Sequence, residues 1–253
     1  MYQPLKHCCK YIKPLYIKRK MKENKQYICE KNQMILYAVT DSSLSSETYT
    51  LEMQIEDALK GGVTLLQLRE KNMETKELAR LGKKIKAICD RYNVPMVIDD
   101  DVEAAYICGA DGVHVGQGDM SPTEVRKILG NNAIVGVTAK TVEQALKAQN
   151  EGASYIGTGA AFPTGTKKDT YVISHDTIRE ICDRVDIPVV AIGGIDCENV
   201  VKLKGTHIDG VAVVSAIFAN KDIEAETRRL KDRVLSIIEN TIKTTAMEKR
   251  FIK

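Results

Sequence analysis

Short apolar runs and amphipathic stretches alternate along the chain from about residue 34 onward. Eight runs of four to six residues, rich in β-branched side chains, are typical of buried parallel strands. We predict strands at Ile35–Thr40, Thr64–Arg69, Pro95–Asp99, Gly112–Val115, Ile134–Thr138, Tyr155–Gly159, Val189–Gly193 and Gly210–Val214. The segments between them place apolar residues at helical spacing, as Leu78, Leu81, Ile85 and Ile88 do. The pattern therefore predicts eight consecutive strand–helix units.

Small residues mark several of the joints between a predicted helix and the next strand. Gly61-Gly62, Gly109-Ala110 and Gly152-Ala153 fit the left-handed backbone conformation that ends a helix. Eight units in roughly 200 residues favour a single (β/α)8 TIM barrel of the α/β class. The competing fold is an open doubly wound sheet with a Gly-rich turn after its first strand. That turn here contains Thr40-Asp41-Ser42-Ser43, which excludes a dinucleotide fingerprint.

Charge divides the 253-residue chain into a basic leader and an acidic body. Residues 1–33 carry nine Lys and Arg against two Asp and Glu, whereas residues 34–253 carry 28 against 32. The net charge of +3 therefore says nothing about the body. We predict a flexible basic leader at 1–33, a barrel domain at 34–240 and a tail at 241–253. Translation starting at Met21 or Met34 is an alternative account of the leader.

Composition also limits the compartment and the partners. The leader lacks an apolar signal-peptide core, and no run of about 18 apolar residues occurs anywhere. The absence of Trp and an aromatic content of 5% argue against a base-stacking nucleic-acid module. The leader cysteines Cys8, Cys9 and Cys29 match no zinc pattern. The other four cysteines are unpaired in sequence, which favours a reducing, cytoplasmic location. We expect neither a membrane nor a nucleic acid as partner, and a homo-oligomer stays open.

The predicted strand ends carry the candidate chemistry, because barrel enzymes place their sites there. Gly193-Gly194 after strand 7 and Val214-Ser215 after strand 8 occupy the usual phosphate position, where backbone N–H groups approach an anion. A tight turn without a ligand is the simpler explanation of the two glycines. Because both strand ends fit a phosphate, we predict a phosphate site.

Further charged residues follow the other strands. Three cations, Arg69, Lys71 and Lys167, suit a second phosphate group, and the carboxylates Asp99, Asp100 and Asp119 oppose them. Carboxylates beside phosphate-binding cations suggest Mg²⁺ on a polyphosphate. Asp101 fits a helix N-cap instead.

His114 near the end of strand 4 is either a general base or a hydrogen-bonded barrel residue. The sequence shows no Ser-His-Asp pattern and no paired metal histidines. These residues indicate a barrel enzyme that binds a phosphorylated molecule and a diphosphate. They leave isomerase, aldolase, synthase and transferase open.

Taken together, the strand-end motifs resemble those of thiamine-phosphate synthase, also called thiamine-phosphate pyrophosphorylase. The resemblance spans residues 34–240 and rests on eight short motifs in order, which are Leu36–Asp41, Gln67-x-Arg69-Glu70-Lys71, Asp99-Asp100, His114-x-Gly116-Gln117-x-Asp119, Gly136-x-Thr138, Pro163-Thr164-x-Thr166-Lys167-x-Asp169, Ile192–Ile195 and Val214–Ile217. The family joins 4-amino-2-methyl-5-hydroxymethylpyrimidine diphosphate to a thiazole phosphate. Thiamine phosphate and pyrophosphate are the products.

The resemblance implies a role for each matching position. The pyrimidine diphosphate would contact Gln67, Arg69, Lys71, Asp99, Thr138 and Lys167, of which Arg69, Lys71 and Lys167 would also act in catalysis. The thiazole phosphate would contact Thr164, Gly165, Thr166, Gly194, Val214 and Ser215. Asp100 and Asp119 would hold Mg²⁺.

Two positions depart from the family pattern. Asp99 stands where the family usually has Asn, so the site loses an N–H donor group and gains negative charge. Thr138 replaces a frequent Ser and keeps the hydroxyl. A related thiazole tautomerase and a non-catalytic binder of thiamine precursors are the rival interpretations. The retained cations and Asp residues argue against the tautomerase.

Overall fold

The computed structural model describes residues 27–165 and 171–251, with side chains up to residue 238. Its eight parallel strands close into one barrel in the order β1 to β8. The strands are β1 (Leu36–Val39), β2 (Leu65–Leu68), β3 (Met96–Asp99), β4 (Gly112–Val115), β5 (Ile134–Thr138), β6 (Tyr155–Gly159), β7 (Val189–Ile192) and β8 (Gly210–Val213). β1 pairs with both β2 and β8, which closes the sheet. The predicted TIM barrel is confirmed, with strand ends within one residue of those expected from the sequence.

The helices surround the barrel, and short 3-10 helices lie at Lys31–Met34, Ser42–Leu44 and Val200–Leu203. The α-helices are α1 (Leu51–Gly61), α2 (Thr75–Arg91), α3 (Val102–Cys108), α4 (Pro122–Leu129), α5 (Val142–Asn150), α6 (His175–Arg184), α7 (Ser215–Phe218) and α8 (Ile223–Phe251). Polar N-caps begin several of them: the side chains of Asp101 and Ser121 accept from backbone N–H groups three residues on. None of the helices in the described ranges has the length and apolar character needed to cross a bilayer.

The last residues of the predicted leader, 27–33, contact the barrel. The backbone N–H groups of Tyr27 and Cys29 donate to the carbonyls of Asn131 and Ser154, and Cys29 is buried. The buried Arg126 guanidinium donates to the Tyr27 carbonyl. Residues 27–33 thus pack on the amino-terminal end of the barrel, because backbone hydrogen bonds hold a segment whose composition is polar. Residues 1–26 lie outside the described residues.

The expected tail also begins inside a helix, since α8 runs without a break through residue 241 to Phe251. The side chains beyond residue 238 are not described. The core fills both the barrel interior and the layer between strands and helices, with Tyr37 and Tyr155 among its largest buried side chains.

Candidate active site

One cavity of about 210 Å³ opens at the carboxyl ends of the strands. All eight strands or the loops after them contribute to its lining. Of the residues predicted for the site, it brings together Gln67, Arg69, Lys71, Asp99, Asp100, Asp119, Thr138, Thr164, Gly194, Val214 and Ser215. Gly165 follows Thr164 but does not line the cavity. Thr166 and Lys167 lie outside the described residues.

Asp99 at the end of β3 contacts two side chains from the end of β2 and the residue that follows it. Gln67 Nε2 donates to Asp99 Oδ1 at 3.1 Å, and Arg69 Nε lies 3.4 Å from Asp99 Oδ2. A carboxylate only accepts, so the Gln67 amide turns its nitrogen toward Asp99. Thr40 fixes the same strand end, because its Oγ1 accepts from the Arg69 N–H at 2.9 Å.

Asp100 and Asp101 separate into two different roles. Asp100 adopts a left-handed backbone with φ 57°, and its N–H donates to the His114 carbonyl at 2.9 Å. This conformation keeps the residue on the cavity wall. Asp101 faces the other way: its Oδ1 accepts from the Ala104 N–H at 2.8 Å and caps α3, as predicted.

Asp119 is held by the loop that follows β4. Its Oδ2 accepts from the Gly116 N–H at 2.7 Å, and a Cβ at Gly116 would lie 2.8 Å from the same oxygen. The described residues contain no group of three or more His, Cys, Asp or Glu placed to bind a metal. Asp100 and Asp119 are two of the three carboxylates on the cavity wall, and Mg²⁺ takes one or two carboxylates and completes its shell with phosphate and water. The donor set therefore fits Mg²⁺.

Gly193 and Gly194 bend the chain after β7 where a side chain could not fit. Both have positive φ, at 98° and 64°, and a Cβ at Gly194 would lie 2.3 Å from the Pro163 carbonyl oxygen. β7 is followed by the short 3-10 helix Val200–Leu203, and α7 after β8 has only four residues, so neither strand end leads into a long helix. Phosphate binding at this end would depend on the close approach of the backbone.

His114 is a hydrogen-bonded barrel residue, which was one of the two predicted alternatives. Its Nδ1 lies 2.9 Å from the Tyr155 hydroxyl and its Nε2 lies 2.9 Å from Thr138 Oγ1. The Gln117 amide also donates to the Thr138 carbonyl at 2.7 Å. The side chain of Thr138 is thereby tied to the interior of the barrel.

Lys140 is a cavity residue that sequence reasoning missed. It lies two residues beyond Thr138, and its ammonium group sits 4.2 Å from the centroid of the Tyr171 ring. Its position in the loop after β5 is the signal that would have found it. The contact with Tyr171 joins that loop to the segment before α6.

The five cysteines of the described ranges are free thiols, and none lines the cavity. Burial raises the pKa of Cys29 and of Cys89 to about 12. Both thiols stay protonated at neutral pH.

Comparison with known proteins places this site in a family. The family model described as thiamine monophosphate synthase matches residues 36–217. Thiamine-phosphate synthase of Ruminiclostridium cellulolyticum is 51% identical over 195 residues, which cover 77% of this chain and 92% of that protein. Thiamine-phosphate synthase of Clostridium tetani is 48% identical over 195 residues, with coverage of 77% and 93%.

A solved structure gives the same result. Thiamine phosphate pyrophosphorylase from Pyrococcus furiosus superposes with a TM-score of 0.75 at 36% identity, over 82% of this chain and 98% of that one. Fold and site together define a barrel enzyme for phosphorylated small molecules. The chain belongs to the thiamine monophosphate synthase family, and it is a transferase of thiamine biosynthesis.

Proposed function

We propose that the cavity binds 4-amino-2-methyl-5-hydroxymethylpyrimidine diphosphate beside a thiazole phosphate and joins them with loss of pyrophosphate. The product is thiamine phosphate. The observation that carries the proposal is the grouping of Arg69, Lys71, Asp100 and Asp119 around one cavity with the Gly193-Gly194 turn. Two phosphorylated substrates need two anion sites, and the cavity offers one set of residues for each.

The pyrimidine diphosphate occupies the side formed by β2 to β5. Gln67 and Asp99 lie deep in this side and meet the aminopyrimidine ring, while Arg69, Lys71 and Thr138 meet the diphosphate. Lys167 contacts the same diphosphate in this proposal. Because the Gln67 nitrogen faces Asp99, its Oε1 is left to accept from an amino group.

Asp100 and Asp119 would hold Mg²⁺. When bound, Mg²⁺ neutralises the charge that develops on the leaving pyrophosphate. Asp119 is oriented for this by the Gly116 N–H, and Asp100 by its hydrogen bond to the His114 carbonyl.

The thiazole phosphate occupies the side formed by β6 to β8. Thr164, Gly194, Val214 and Ser215 line it, and the proposal adds Gly165 and Thr166. Anchoring the phosphate there orients the thiazole nitrogen toward the reacting carbon of the pyrimidine. Holding two reactants in place in this way removes the entropy cost of their encounter.

The chemistry is a dissociative displacement. Pyrophosphate leaves a benzyl-like carbon, the aminopyrimidine ring shares the positive charge, and the thiazole nitrogen then attacks. Arg69 and Lys71 stabilise the departing anion. The step needs neither a nucleophile from the protein nor a strong general base.

Five free thiols among the described cysteines support the further proposal of a reducing, cytoplasmic compartment.

Direct turnover tests this function. Purified full-length chain is mixed with both precursors and Mg²⁺, and thiamine phosphate and pyrophosphate are quantified. We expect equal amounts of the two products. When the thiazole phosphate is omitted, we expect no pyrophosphate beyond the small amount released by slow hydrolysis of the pyrimidine diphosphate. Absence of product with either thiazole isomer overturns the proposal. Interconversion of the thiazole isomers without condensation identifies a tautomerase instead.

A further inference from the structure

A line of hydrogen bonds runs from the barrel interior to the cavity. The Tyr37 and Tyr155 hydroxyls are 2.8 Å apart, Tyr155 meets His114 Nδ1 at 2.9 Å, and His114 Nε2 meets Thr138 Oγ1 at 2.9 Å. Tyr37 and Tyr155 are only 1% and 0% exposed, whereas Thr138 lines the cavity. The line therefore joins the buried interior of the barrel to the cavity.

Two glycines make room for these side chains. A Cβ at Gly136 would lie 2.3 Å from the Tyr155 hydroxyl and 2.5 Å from His114 Nδ1. A Cβ at Gly157 would lie 3.0 Å from His114 Cε1. Both positions lie in the middle of strands, where Gly weakens packing. Their presence keeps the His114 ring in contact with both Tyr155 and Thr138.

The number of protons on these groups decides which group donates and which accepts in each hydrogen bond. Burial raises the pKa of Tyr37 and Tyr155 well above the usual range, so both hydroxyls keep their protons. Among the described residues, the Tyr155 hydroxyl is the one hydrogen-bond partner of the Tyr37 hydroxyl. If His114 Nδ1 carried the proton, Tyr155 would accept from it and donate to Tyr37. The Tyr37 proton would then be buried without an acceptor, which is unfavourable.

The opposite direction satisfies every buried donor. Tyr37 donates to Tyr155, Tyr155 donates to His114 Nδ1, and His114 Nε2–H donates to Thr138 Oγ1. Because Thr138 Oγ1 accepts from within the barrel, its own proton turns away from His114. We propose that His114 is a positioning residue, held in the Nε2–H form by Tyr155, which makes the Thr138 hydroxyl a donor to a phosphate oxygen in the cavity.

Nuclear magnetic resonance of the histidine ring tests the direction without any substrate. With ¹⁵N-labelled protein, we expect the His114 signals to report protonated Nε2 and unprotonated Nδ1. The Tyr37→Phe variant should leave this form unchanged, because Tyr155 still needs His114 Nδ1 as its acceptor. The Tyr155→Phe variant removes the donor to Nδ1 and should let the Nδ1–H form appear. An Nδ1–H ring in the unaltered protein overturns the proposal.

A double-mutant cycle tests the coupling to Thr138. The probe is inorganic pyrophosphate with Mg²⁺, and its dissociation constant is measured by calorimetry. Thr138→Val should weaken binding by about tenfold, the size expected for a hydrogen bond to a charged group. Thr138→Ser should stay within about threefold. His114→Leu should weaken binding too, and the double variant should bind no worse than Thr138→Val alone.

Losses that multiply in the double variant mean that His114 does not act through the Thr138 hydroxyl. His114→Gln offers an amide N–H near the former Nε2 position and should recover most of the affinity, which a purely structural histidine would not predict. If His114→Leu fails to fold, Tyr155→Phe takes its place in the same cycle.

That the Thr138 hydroxyl donates to a phosphate oxygen rests on the proposed function. The role of His114 and the proposed function can nevertheless fail separately. Protein that binds pyrophosphate with the expected cycle and forms no thiamine phosphate overturns the proposed function and supports the positioning role of His114. Active enzyme whose Thr138→Val variant binds pyrophosphate as tightly as the unaltered chain overturns that role.

Discussion

Arg69 and Asp99 form an ion pair on the cavity wall, with 3.4 Å between Arg69 Nε and Asp99 Oδ2. The pair partly neutralises a cation that the proposed function assigns to the diphosphate. Replacing Asp99 by Asn removes the charge while Asn Oδ1 still accepts from Gln67 Nε2. For Asp99→Asn we expect a kcat/KM for the pyrimidine diphosphate that is unchanged or up to about fivefold higher, since such a pair contributes about 1 kcal/mol at most.

The control for this variant is Asp183→Asn. Asp183 lies on α6 and forms an exposed pair with His207, and breaking this pair should leave kcat/KM unchanged. A loss of activity of 100-fold or more in Asp99→Asn alone, together with weaker Mg²⁺ dependence, would mean that Asp99 is itself a metal ligand.

Asp119 allows its charge to be tested apart from its hydrogen bond. Asp119→Asn can still accept from the Gly116 N–H, whereas Asp119→Ala cannot. We expect both variants to lower turnover by about 100-fold or more at limiting Mg²⁺, because metal stabilisation of the leaving group is worth several kcal/mol. Thermal unfolding should shift little in Asp119→Asn. Turnover that is unaffected by either substitution at limiting Mg²⁺ contradicts the metal assignment.

The fold could be predicted because two local signals agree along the body of the chain. β-branched runs such as Ile134–Thr138 recur at regular spacing, and glycines such as Gly62 end the helices in the left-handed conformation. Since all eight strands of a closed parallel barrel point the same way, Arg69, Asp100 and Ser215 had to meet at one end. The residues on the cavity wall follow from that geometry.

Other features depend on contacts that no local pattern reports. Tyr37 and Tyr155 are 118 residues apart in sequence, and their hydroxyls meet because of barrel register and side-chain packing. From the sequence alone each is an ordinary core aromatic residue. Cys29 lies in a polar, basic segment, and its burial depends on backbone hydrogen bonds to the barrel.

The buried thiol of Cys89 should make the protein less stable in alkali. Burial raises its pKa from an ordinary 9.0 to about 12 in the folded chain. The folded state thus favours the protonated thiol, and this stabilisation is complete below pH 9. It is lost between pH 9 and about 12 at up to about 1.4 kcal/mol per pH unit, as the unfolded chain ionises.

Cys89→Ala removes this pH-dependent contribution but changes packing equally at every pH. The free energy of unfolding is measured with urea under reducing conditions. Its difference between the two proteins should be constant from pH 6 to 8 and should shrink from pH 9 to 11. A difference that stays constant to pH 11 would show that the thiol does not titrate differently in the two states.

The segment of residues 27–33 should contribute to stability from the end of the barrel opposite the active site. Arg126 donates to the Tyr27 carbonyl at 3.1 Å, and Ser154 Oγ donates to the same oxygen at 2.6 Å. Removing residues 1–33 leaves these buried donors without the Tyr27 carbonyl as acceptor and exposes the barrel surface that Cys29 covers. We therefore expect a loss of about 2–4 kcal/mol in the free energy of unfolding. Removing residues 1–26 keeps the contacts and should change it by about 0.5 kcal/mol or less. Turnover at 25 °C should persist in both truncated chains, because the cavity lies at the carboxyl ends of the strands.

Equal urea midpoints for the two truncated chains would show that the contacts of Tyr27 with Arg126 and Ser154 add nothing to stability. A loss of turnover on removing residues 1–26 would place part of the activity in the leader.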